Sequence, residues 1–410
     1  MGASRESDAR AGRFFDRKLV SSPSVVLISV PRDVRSREGL WLIDARRKLL
    51  VVARAIEKRF DAFRFGLKRR LGLLDPFEIL PYRGYGTSRE LFLRGRVLEE
   101  AGITHAARDD AVWRNVLNMA RRFASDEVAG ARVRASFEGL HVETNADVEG
   151  FFEVRFRLAE PLDGPGGWRQ VGLELLSPPS PGGGRVRSKG HVLVPHGALF
   201  GVISDLDDTV VRSSATSVLK MAWIVVRNNA HTRLPFEGVA AFYKALQLGP
   251  ESRSSNPVFY VSSSPWNIYD MLVDFLNVNG VPHGPQFLKD WSLTVLGKHR
   301  DYKMGVIRHL LSTYQDLPFV LIGDSGEEDP EIYLQAVREH PGRVIAVYIR
   351  DVTSGKRDEE IRAMAGEARK LGTEMVAAPD TTTAAEHAAS IGLVAPGAID
   401  AVRAESTASY

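Results

Sequence analysis

The 410-residue chain contains no cysteine. This absence excludes structural disulfides, thiolate zinc sites and cysteine nucleophiles, and it leaves the cellular compartment undecided. The chain also lacks any run of about twenty apolar residues, the length that a membrane-spanning helix needs, so we expect membrane contact to be peripheral at most. Residues 1–30 begin with a charged stretch and lack the apolar segment and cleavage site of a secretory signal. We therefore expect a cytoplasmic protein, with a peripheral position at the inner membrane face as the further option.

The chain has little net charge, +3, but its basic residues are concentrated in roughly the first seventy positions. The composition, 44% hydrophobic and 26% charged, is typical of a soluble globular protein. A chain of this length supports two or three domains of ordinary size, with residues left over for linkers and tails. We therefore expect folded domains and disorder only at the ends.

Residues 40–74 combine apolar residues at three- and four-residue spacing with Arg or Lys at the other positions. This pattern predicts a long, basic, amphipathic helix, which ends at Asp75-Pro76 because proline disfavours helix in the residue before it. Two interpretations stay open. The helix either packs on the protein with a solvated basic face, or lies in the headgroup region of an anionic membrane.

Short alternating runs follow, at 91–98, 132–140, 151–158 and 187–195, separated by Gly, Pro and Asn. They predict several short strands in a β-sandwich or small barrel. The segment carries no catalytic constellation, so we interpret it as a binding or scaffolding domain. The predicted divisions of the chain are a variable segment (1–39), the basic helix (40–78), a β-rich accessory domain (79–196), a catalytic domain (197–397) and a tail (398–410).

From Leu199 onward, buried apolar strands alternate with helices, in LFGVISDLDD, PVFYVSSSP, PFVLIGDSG and RVIAVYIRDV. Such alternation predicts an α/β fold with a doubly wound parallel sheet. Residues 373–394 predict one last strand and a helix that begins near Asp380. We expect the final ten or so residues to be disordered.

Asp205 and Asp207 follow the first of these strands, in the sequence SDLDDT. Open α/β sheets build their sites at the carboxyl ends of strands, and the chain has to turn after Asp205 to bring both carboxylates to one phosphate. Clustered carboxylates are unfavourable without a cation, and oxygen ligands without cysteine or clustered histidine favour Mg²⁺ over zinc. The alternative is that the acidic turn only caps a helix.

Two further strands of this kind end in polar residues. Ser262 ends the second one and is suited to donating to a phosphoryl oxygen, or to capping the helix that begins near Trp266. Asp324 and Asp329 follow the strand that ends at Gly323, which allows close backbone approach, and both are suited to an oxygen-rich metal site.

A lysine precedes the strand that ends at Gly323. Lys303, with Lys298 as the alternate, is placed to offset charge on a phosphoryl group and on Asp205. Alternatively, it is an ordinary surface lysine.

In this order, each beside a predicted parallel strand, these residues resemble the four motifs of the haloacid-dehalogenase superfamily. The resemblance implies that Asp205 attacks phosphorus, while Asp207 protonates the leaving group and then activates water. It also implies that Ser262 and Lys303 orient the phosphoryl group. The Mg²⁺ ligands that it implies are Asp205, the backbone carbonyl of Asp207, Asp324 and, through water, Asp329.

The residues around the motifs indicate a narrower family within this superfamily. SDLDDTV, YVSSSPWNIYD and LIGDSGEEDPEIY, with PYRGYGT (81–87), GRVL (95–98) and DTTTAAEHAASIGLV (380–394), resemble bacterial members of the actin-patch-type phosphatidate phosphatase family. The resemblance covers most of residues 75–395. It implies hydrolysis of phosphatidic acid to diacylglycerol and phosphate through an aspartyl-phosphate.

The spacing of the motifs bears on the substrate. Only about fifty residues separate the first motif from the second and about forty the second from the third, which leaves room for a minimal cap and predicts an open site for a large or interface-bound substrate. Val218–Arg227 either dips into headgroups or packs on the sheet. A soluble phosphoester or phosphoprotein is the alternative substrate, and a scaffold role for the phosphatase domain is disfavoured by the intact Asp205 and Asp207. No nucleic-acid reader motif is present, so we expect no nucleic-acid partner.

Overall fold

The computed structural model describes residues 75–99, 127–181, 183–206, 237–252, 255–289, 299–351 and 356–407. Several predictions fall outside these ranges: the basic helix over 40–74, the side chains of Asp207 and Lys298, and the segment Val218–Arg227. Within them, no helix has both the length and the apolar character to span a bilayer.

The accessory segment is rich in β-strands, as the alternating runs predict, and its eight strands belong to one sheet, while the β-sandwich or small barrel stays a prediction. Its spatial order is β1-β3-β2-β8-β7-β4-β5, and β6 pairs with β3. Side chains alternate between buried and exposed along strands such as β6, and the buried ones form an apolar core on one face of the sheet. The first strand begins two residues before the predicted boundary at 79. The strands are β1 (Phe77–Pro81), β2 (Gly84–Gly86), β3 (Glu90–Glu99), β4 (Arg132–Phe137), β5 (Leu140–Asn145), β6 (Phe151–Arg157), β7 (Gly167–Ser177) and β8 (Arg187–Val194).

The second sheet has six strands in the order β11-β10-β9-β12-β13-β14, and every pairing is parallel, as predicted. The chain leaves β9 toward β10 on one side and returns to β12 on the other, so the order reverses between β9 and β12. Open α/β sheets bind ligands at such a switch point. The strands are β9 (Gly201–Asp205), β10 (Val258–Pro265), β11 (Gln286–Lys289), β12 (Phe319–Asp324), β13 (Val344–Arg350) and β14 (Glu374–Ala378).

Helices cover both faces of the parallel sheet, which confirms the doubly wound α/β prediction. One apolar cluster joins α1, α2, α6 and α7 to one face, and a second joins α3, α4 and α5 to the other. The helices in the described ranges are α1 (Val239–Leu248), α2 (Tyr269–Val278), α3 (His299–Thr313), α4 (Asp329–Glu339), α5 (Lys356–Lys370), α6 (Thr381–Ser390) and α7 (Ala398–Thr407).

The end of the chain corrects one expectation. Residues 398–407, predicted as part of a disordered tail, form α7, because the Val402 side chain is completely buried in the same apolar cluster as α1. The last predicted strand and helix are confirmed as β14 and α6. Asp380 caps α6 by accepting a hydrogen bond from the backbone N–H of Thr383.

The two sheets pack directly against each other through the segment 81–87. The Tyr82 ring stacks on Trp266 with centroids 4.4 Å apart. The backbone N–H of Arg83 donates to the Tyr269 hydroxyl over 2.8 Å. The Tyr314 hydroxyl donates to the carbonyl of Gly86 over 3.1 Å. This segment therefore joins the accessory sheet to the turn after β10, to α2 and to the residue after α3.

Candidate active site

The carboxyl ends of β9, β10 and β12 bring predicted site residues to one edge of the sheet. Asp205 pairs in register with Val261, so Ser262 lies one residue further along the neighbouring strand. Ser204 pairs with Ile322 on the other side, which puts Asp324 beside Asp205 across the switch point. Asp205, Ser262 and Asp324 are all buried.

Lys303 is the centre of an ionic cluster at this edge. Its ammonium Nζ lies 2.7 Å from Oδ1 of Asp205, 2.7 Å from Oδ1 of Asp329 and 2.8 Å from Oε2 of Glu327. The lysine side chain, on α3, is only 2% exposed. The lysine that the sequence analysis placed near the phosphoryl group therefore contacts the predicted nucleophile directly.

Electrostatics keep this lysine charged. Burial by itself lowers the pKa of Lys303, but the carboxylates of Asp205, Asp329 and Glu327 outweigh it and raise that pKa well above its usual value. Three short contacts to carboxylates favour the charged form more than burial disfavours it. The ammonium is thus a fixed positive charge beside Asp205.

The loop after β12 is shaped by Asp324. Its Oδ1 accepts hydrogen bonds from the backbone N–H groups of Gly326, over 2.6 Å, and Glu327, over 3.1 Å. This turn directs Glu327 and Asp329 back toward Lys303. A Cβ at position 323 would lie 2.3 Å from Oδ2 of Asp329, so only glycine fits there.

Arg357, at the start of α5, holds the same loop from outside. Its guanidinium donates to the carbonyls of Ser325, over 3.1 Å, and Glu327, over 2.9 Å. It also donates to both carboxylate oxygens of Glu331, over 2.6 and 2.9 Å. These bonds lower the pKa of Glu331. The loop is therefore fixed at both ends, by Asp324 inside and by Arg357 outside.

The cluster fits a divalent cation. Carboxylate oxygens of Asp205, Glu327 and Asp329 all lie within 4.8 Å of one another. Burial raises the pKa of Asp329, and the charges of Asp205 and Asp324 act in the same direction. Three of these carboxylates, of Asp205, Glu327 and Asp329, face the single ammonium of Lys303. An all-oxygen donor set of this kind suits Mg²⁺.

Only some of the predicted site residues lie in the ionic cluster around Lys303. Asp205, Lys303 and Asp329 come together, whereas Asp324 turns one oxygen toward the loop amides and is outside the group of three that could share an ion. The Ser262 Oγ accepts from the backbone N–H of Ser264 over 2.9 Å, in strand β10 rather than at a helix cap.

The sequence analysis missed Glu327. The signal was available, because Glu327 stands in the acidic run between Asp324 and Asp329, but spacing along a loop does not say which carboxylate turns inward.

Comparisons with known proteins bear on the same segment. Residues 200–351 match the family model of the phosphatidate phosphatase APP1 catalytic domain. Phosphatidate phosphatase APP1 of Saccharomyces cerevisiae is 30% identical over 168 residues, which are 40% of this chain and 27% of the yeast protein. An uncharacterized protein of Schizosaccharomyces pombe is 26% identical over 163 residues, 38% of this chain and 26% of its own length. The chain thus matches about a quarter of the length of these curated relatives.

A carbohydrate acetylesterase from Xanthomonas citri aligns with 79% of this chain and 71% of its own, at 12% identity and a TM-score of 0.28. The similarity is too low to carry any inference about fold or activity.

Proposed function

Because residues 200–351 belong to the APP1-type phosphatidate phosphatase catalytic-domain family, we propose that this chain is a magnesium-dependent phosphatidate phosphatase. It removes the phosphate of phosphatidic acid and leaves diacylglycerol. The observation that carries the proposal is the buried Asp205 carboxylate, 2.7 Å from the Lys303 ammonium, at the switch point of a parallel sheet. A cytoplasmic location, with peripheral contact at the inner membrane face, remains a prediction.

The proposed chemistry has two displacements at phosphorus. A carboxylate oxygen of Asp205 attacks phosphorus, and the bond to the diacylglycerol oxygen breaks as Asp207 gives that oxygen a proton. The Asp207 carboxylate then takes a proton from water, whose oxygen attacks the aspartyl-phosphate. Inorganic phosphate leaves, and Asp205 is restored as a carboxylate.

The remaining site residues offset or bind the negative charge of the phosphoryl group and of Asp205. The Lys303 ammonium holds the Asp205 carboxylate and offsets negative charge on the phosphoryl oxygens, and the Ser262 hydroxyl is the proposed donor to one of them. Asp205, Glu327 and Asp329 would hold Mg²⁺, together with the predicted carbonyl of Asp207 and with Asp324. Magnesium, when bound, offsets charge on the phosphoryl oxygens as a Lewis acid.

Further proposals concern the fold and the substrate. The arrangement of the four motifs along the parallel sheet supports a haloacid-dehalogenase-like domain with a minimal cap. An open site of this kind accommodates a lipid held at a membrane surface, and the basic segment 40–74 is the proposed membrane contact.

The test is phosphate release with Mg²⁺ from phosphatidic acid in mixed micelles, measured beside a soluble phosphomonoester. Wild type is compared with Asp205→Asn and with the control Asp380→Asn, which makes the same change at a helix cap where Asn also caps well. We expect the lipid to be preferred, Asp205→Asn to be inactive and the control to match wild type. Release from the soluble ester alone would replace the lipid substrate with a soluble phosphoester, and full activity of Asp205→Asn would disprove the mechanism.

A further inference from the structure

A cavity of about 560 Å³ lies between the accessory sheet and the parallel sheet. Its walls are the 82–85 segment and parts of β3 and β6 on one side, and Trp266, the edge strand β11 and one side of α3 on the other. Ligand sites in proteins commonly have volumes of about 300 to 1,000 Å³ and lie between domains. The volume and the position are therefore those of a small-molecule site.

The cavity is separate from the reaction centre. Phe287 in its wall is in register with Val261, which is in register with Asp205 on the next strand. Two strand spacings put their backbones roughly 10 Å apart. On α3, Lys303 is buried in the ionic cluster, whereas Gly305 and His309 line the cavity.

Aromatic rings give the cavity an apolar lining. Tyr85 contacts the rings of Phe92 and Phe287, with centroids 5.1 and 5.2 Å away, and the Tyr85 hydroxyl hydrogen-bonds to Nε2 of His309 over 2.6 Å. These rings pack on one another and are not held apart as two parallel plates. Such a wall suits a flexible alkyl chain better than a planar ring.

Buried polar groups on both sides of the cavity lack partners. Both amide atoms of Gln286, Nη1 of Arg83 and Nε1 of Trp266 are buried and make no hydrogen bond within the described part of the chain. Gln286 is only 3% exposed. More than about 90% of buried polar groups in proteins are hydrogen-bonded, so four such atoms beside one cavity favour a polar ligand there. Most of them are N–H donors, which favours an acceptor such as a carboxylate or phosphate.

Charged side chains of both signs line the cavity, Glu153 and Asp301 among them, and Arg83 is the one that suits an anion. Burial lowers the pKa of Arg83, and the neighbours that oppose this shift are the hydroxyls of Tyr269 and Tyr260 rather than a carboxylate. By contrast, Arg155, in the same wall, is already bonded to Glu90 over 3.0 Å. A partly buried guanidinium is stabilised by an anion.

We propose that this interdomain cavity binds an organic anion carried on an alkyl chain. The chain lies along the aromatic wall of Tyr85, Phe92 and Phe287. The carboxylate or phosphate head is held at the side of Arg83 and Gln286. The site is distinct from the phosphoryl site at Asp205.

Three probes with the same chain define the head group. Dodecanoate, dodecyl phosphate and neutral lauroyl glycerol are titrated below their micelle-forming concentrations in a calorimeter. The Asp205→Asn protein is used throughout, because it should not hydrolyse dodecyl phosphate, and wild type is added with dodecanoate. We expect saturable one-to-one binding of at least one anion, at least tenfold tighter than the neutral probe. Binding of dodecanoate alone would identify a carboxylate head, binding of dodecyl phosphate alone a phosphate head, and binding of both a site that accepts either. Absence of saturable anion binding would overturn the proposal.

A glycine in the wall offers a blocking variant. A Cβ at Gly305, on α3, would meet no atom within 4 Å, so Gly305→Leu should project into the cavity and obstruct it without disturbing the fold. The control is Gly366→Leu on α5, where a Cβ also meets nothing within 4 Å and which does not line the cavity. We expect the first variant to lose binding, the control to keep it, and both to unfold no more readily than wild type. Equal binding by the two variants would overturn the proposal.

The head group is tested separately with Arg83→Met, which keeps the backbone bond from position 83 to the Tyr269 hydroxyl. We expect at least tenfold weaker binding of the anion and unchanged binding of lauroyl glycerol. Arg187→Met, at an exposed arginine of the same sheet, is the control. Unchanged anion binding by Arg83→Met would refute the assignment. So would dodecanoate binding to wild type but not to Asp205→Asn, because that result would place the probe at the reaction centre.

Discussion

Replacing Lys303 with Met tests the ionic cluster by removing its positive charge while keeping most of the side-chain volume. The ammonium is completely surrounded, with contacts of 2.7, 2.7 and 2.8 Å to three carboxylates. Removing one partner of a buried ion pair destabilises a protein by about 3–5 kcal/mol, because the remaining charge is buried without compensation. We expect Lys303→Met to lose free energy of unfolding in this range when no divalent cation is present.

The assay is urea unfolding in EDTA and again in excess Mg²⁺. The control is Lys244→Met, at an exposed lysine of α1, for which we expect a change within about 0.5 kcal/mol. Added Mg²⁺ should restore part of the lost stability in Lys303→Met, because a cation bound by the same carboxylates offsets their charge. A loss below about 1 kcal/mol in EDTA, a value typical of a surface ion pair, would refute a buried, charge-balancing lysine.

The pH dependence gives a second check on the same residue. The pKa of Lys303 is raised in the folded state, so the stability that its charge contributes is fully present below the unfolded pKa of lysine. That contribution is lost as the pH rises through the raised pKa. The stability difference between wild type and Lys303→Met should therefore be constant at neutral pH and narrow only in strongly alkaline solution. A difference that disappears near neutral pH would contradict the assigned direction.

Two other perturbations follow from the structure and a third follows from the sequence. Arg357→Gln removes the donors that hold the Ser325 and Glu327 carbonyls. Half-maximal phosphate release should therefore need about 10- to 100-fold more Mg²⁺, with little change in rate at saturating Mg²⁺. An unchanged Mg²⁺ requirement would contradict a positioning role for Arg357. Asn256→Leu removes buried hydrogen bonds, including 2.9 Å from Leu199 N–H and 2.8 Å to the Leu246 carbonyl, and should lower the free energy of unfolding by about 2–3 kcal/mol in urea; a loss under about 0.5 kcal/mol would show that these bonds are dispensable. Deleting residues 1–74 should weaken co-sedimentation with anionic vesicles more than hydrolysis of a soluble ester; unchanged vesicle binding would exclude the proposed membrane role of the basic segment 40–74.

Much of the fold is predictable from local pattern. Two-residue alternation gives the accessory strands such as β6, and apolar runs ending in polar residues give β9, β10 and β12. Because the carboxyl ends of parallel strands share one edge, the proximity of Asp205 to Asp324 also follows from pattern. Lys303 was predicted to offset charge on the phosphoryl group and on Asp205, and its ammonium lies 2.7 Å from the Asp205 carboxylate. The catalytic roles of these residues remain predictions.

Other features depend on contacts between distant segments. The alternating runs did not reveal that the 81–87 segment packs on Trp266 and Tyr269. The sequence pattern of an aromatic residue is the same whether its side chain packs on its own sheet or on another. The prediction of a disordered tail was wrong. Small and charged residues dominate Ala398–Thr407 and gave no sign of a buried helix, because the burial of Val402 depends on the position of α1. Glu327 turns inward only because Asp324 binds the loop amides.

The most direct test of the central claim, that Asp205 accepts the phosphoryl group, is to look for that group on the protein. Wild type and Asp205→Asn are mixed with phosphatidic acid micelles and Mg²⁺, quenched in acid within the first turnover, digested and analysed by mass spectrometry. The account predicts one added phosphoryl group on the wild-type peptide that contains Asp205, sensitive to hydroxylamine as an acyl phosphate is, and none in the variant. Turnover without a phosphorylated Asp205 peptide, or a phosphoryl group on another residue, would contradict it.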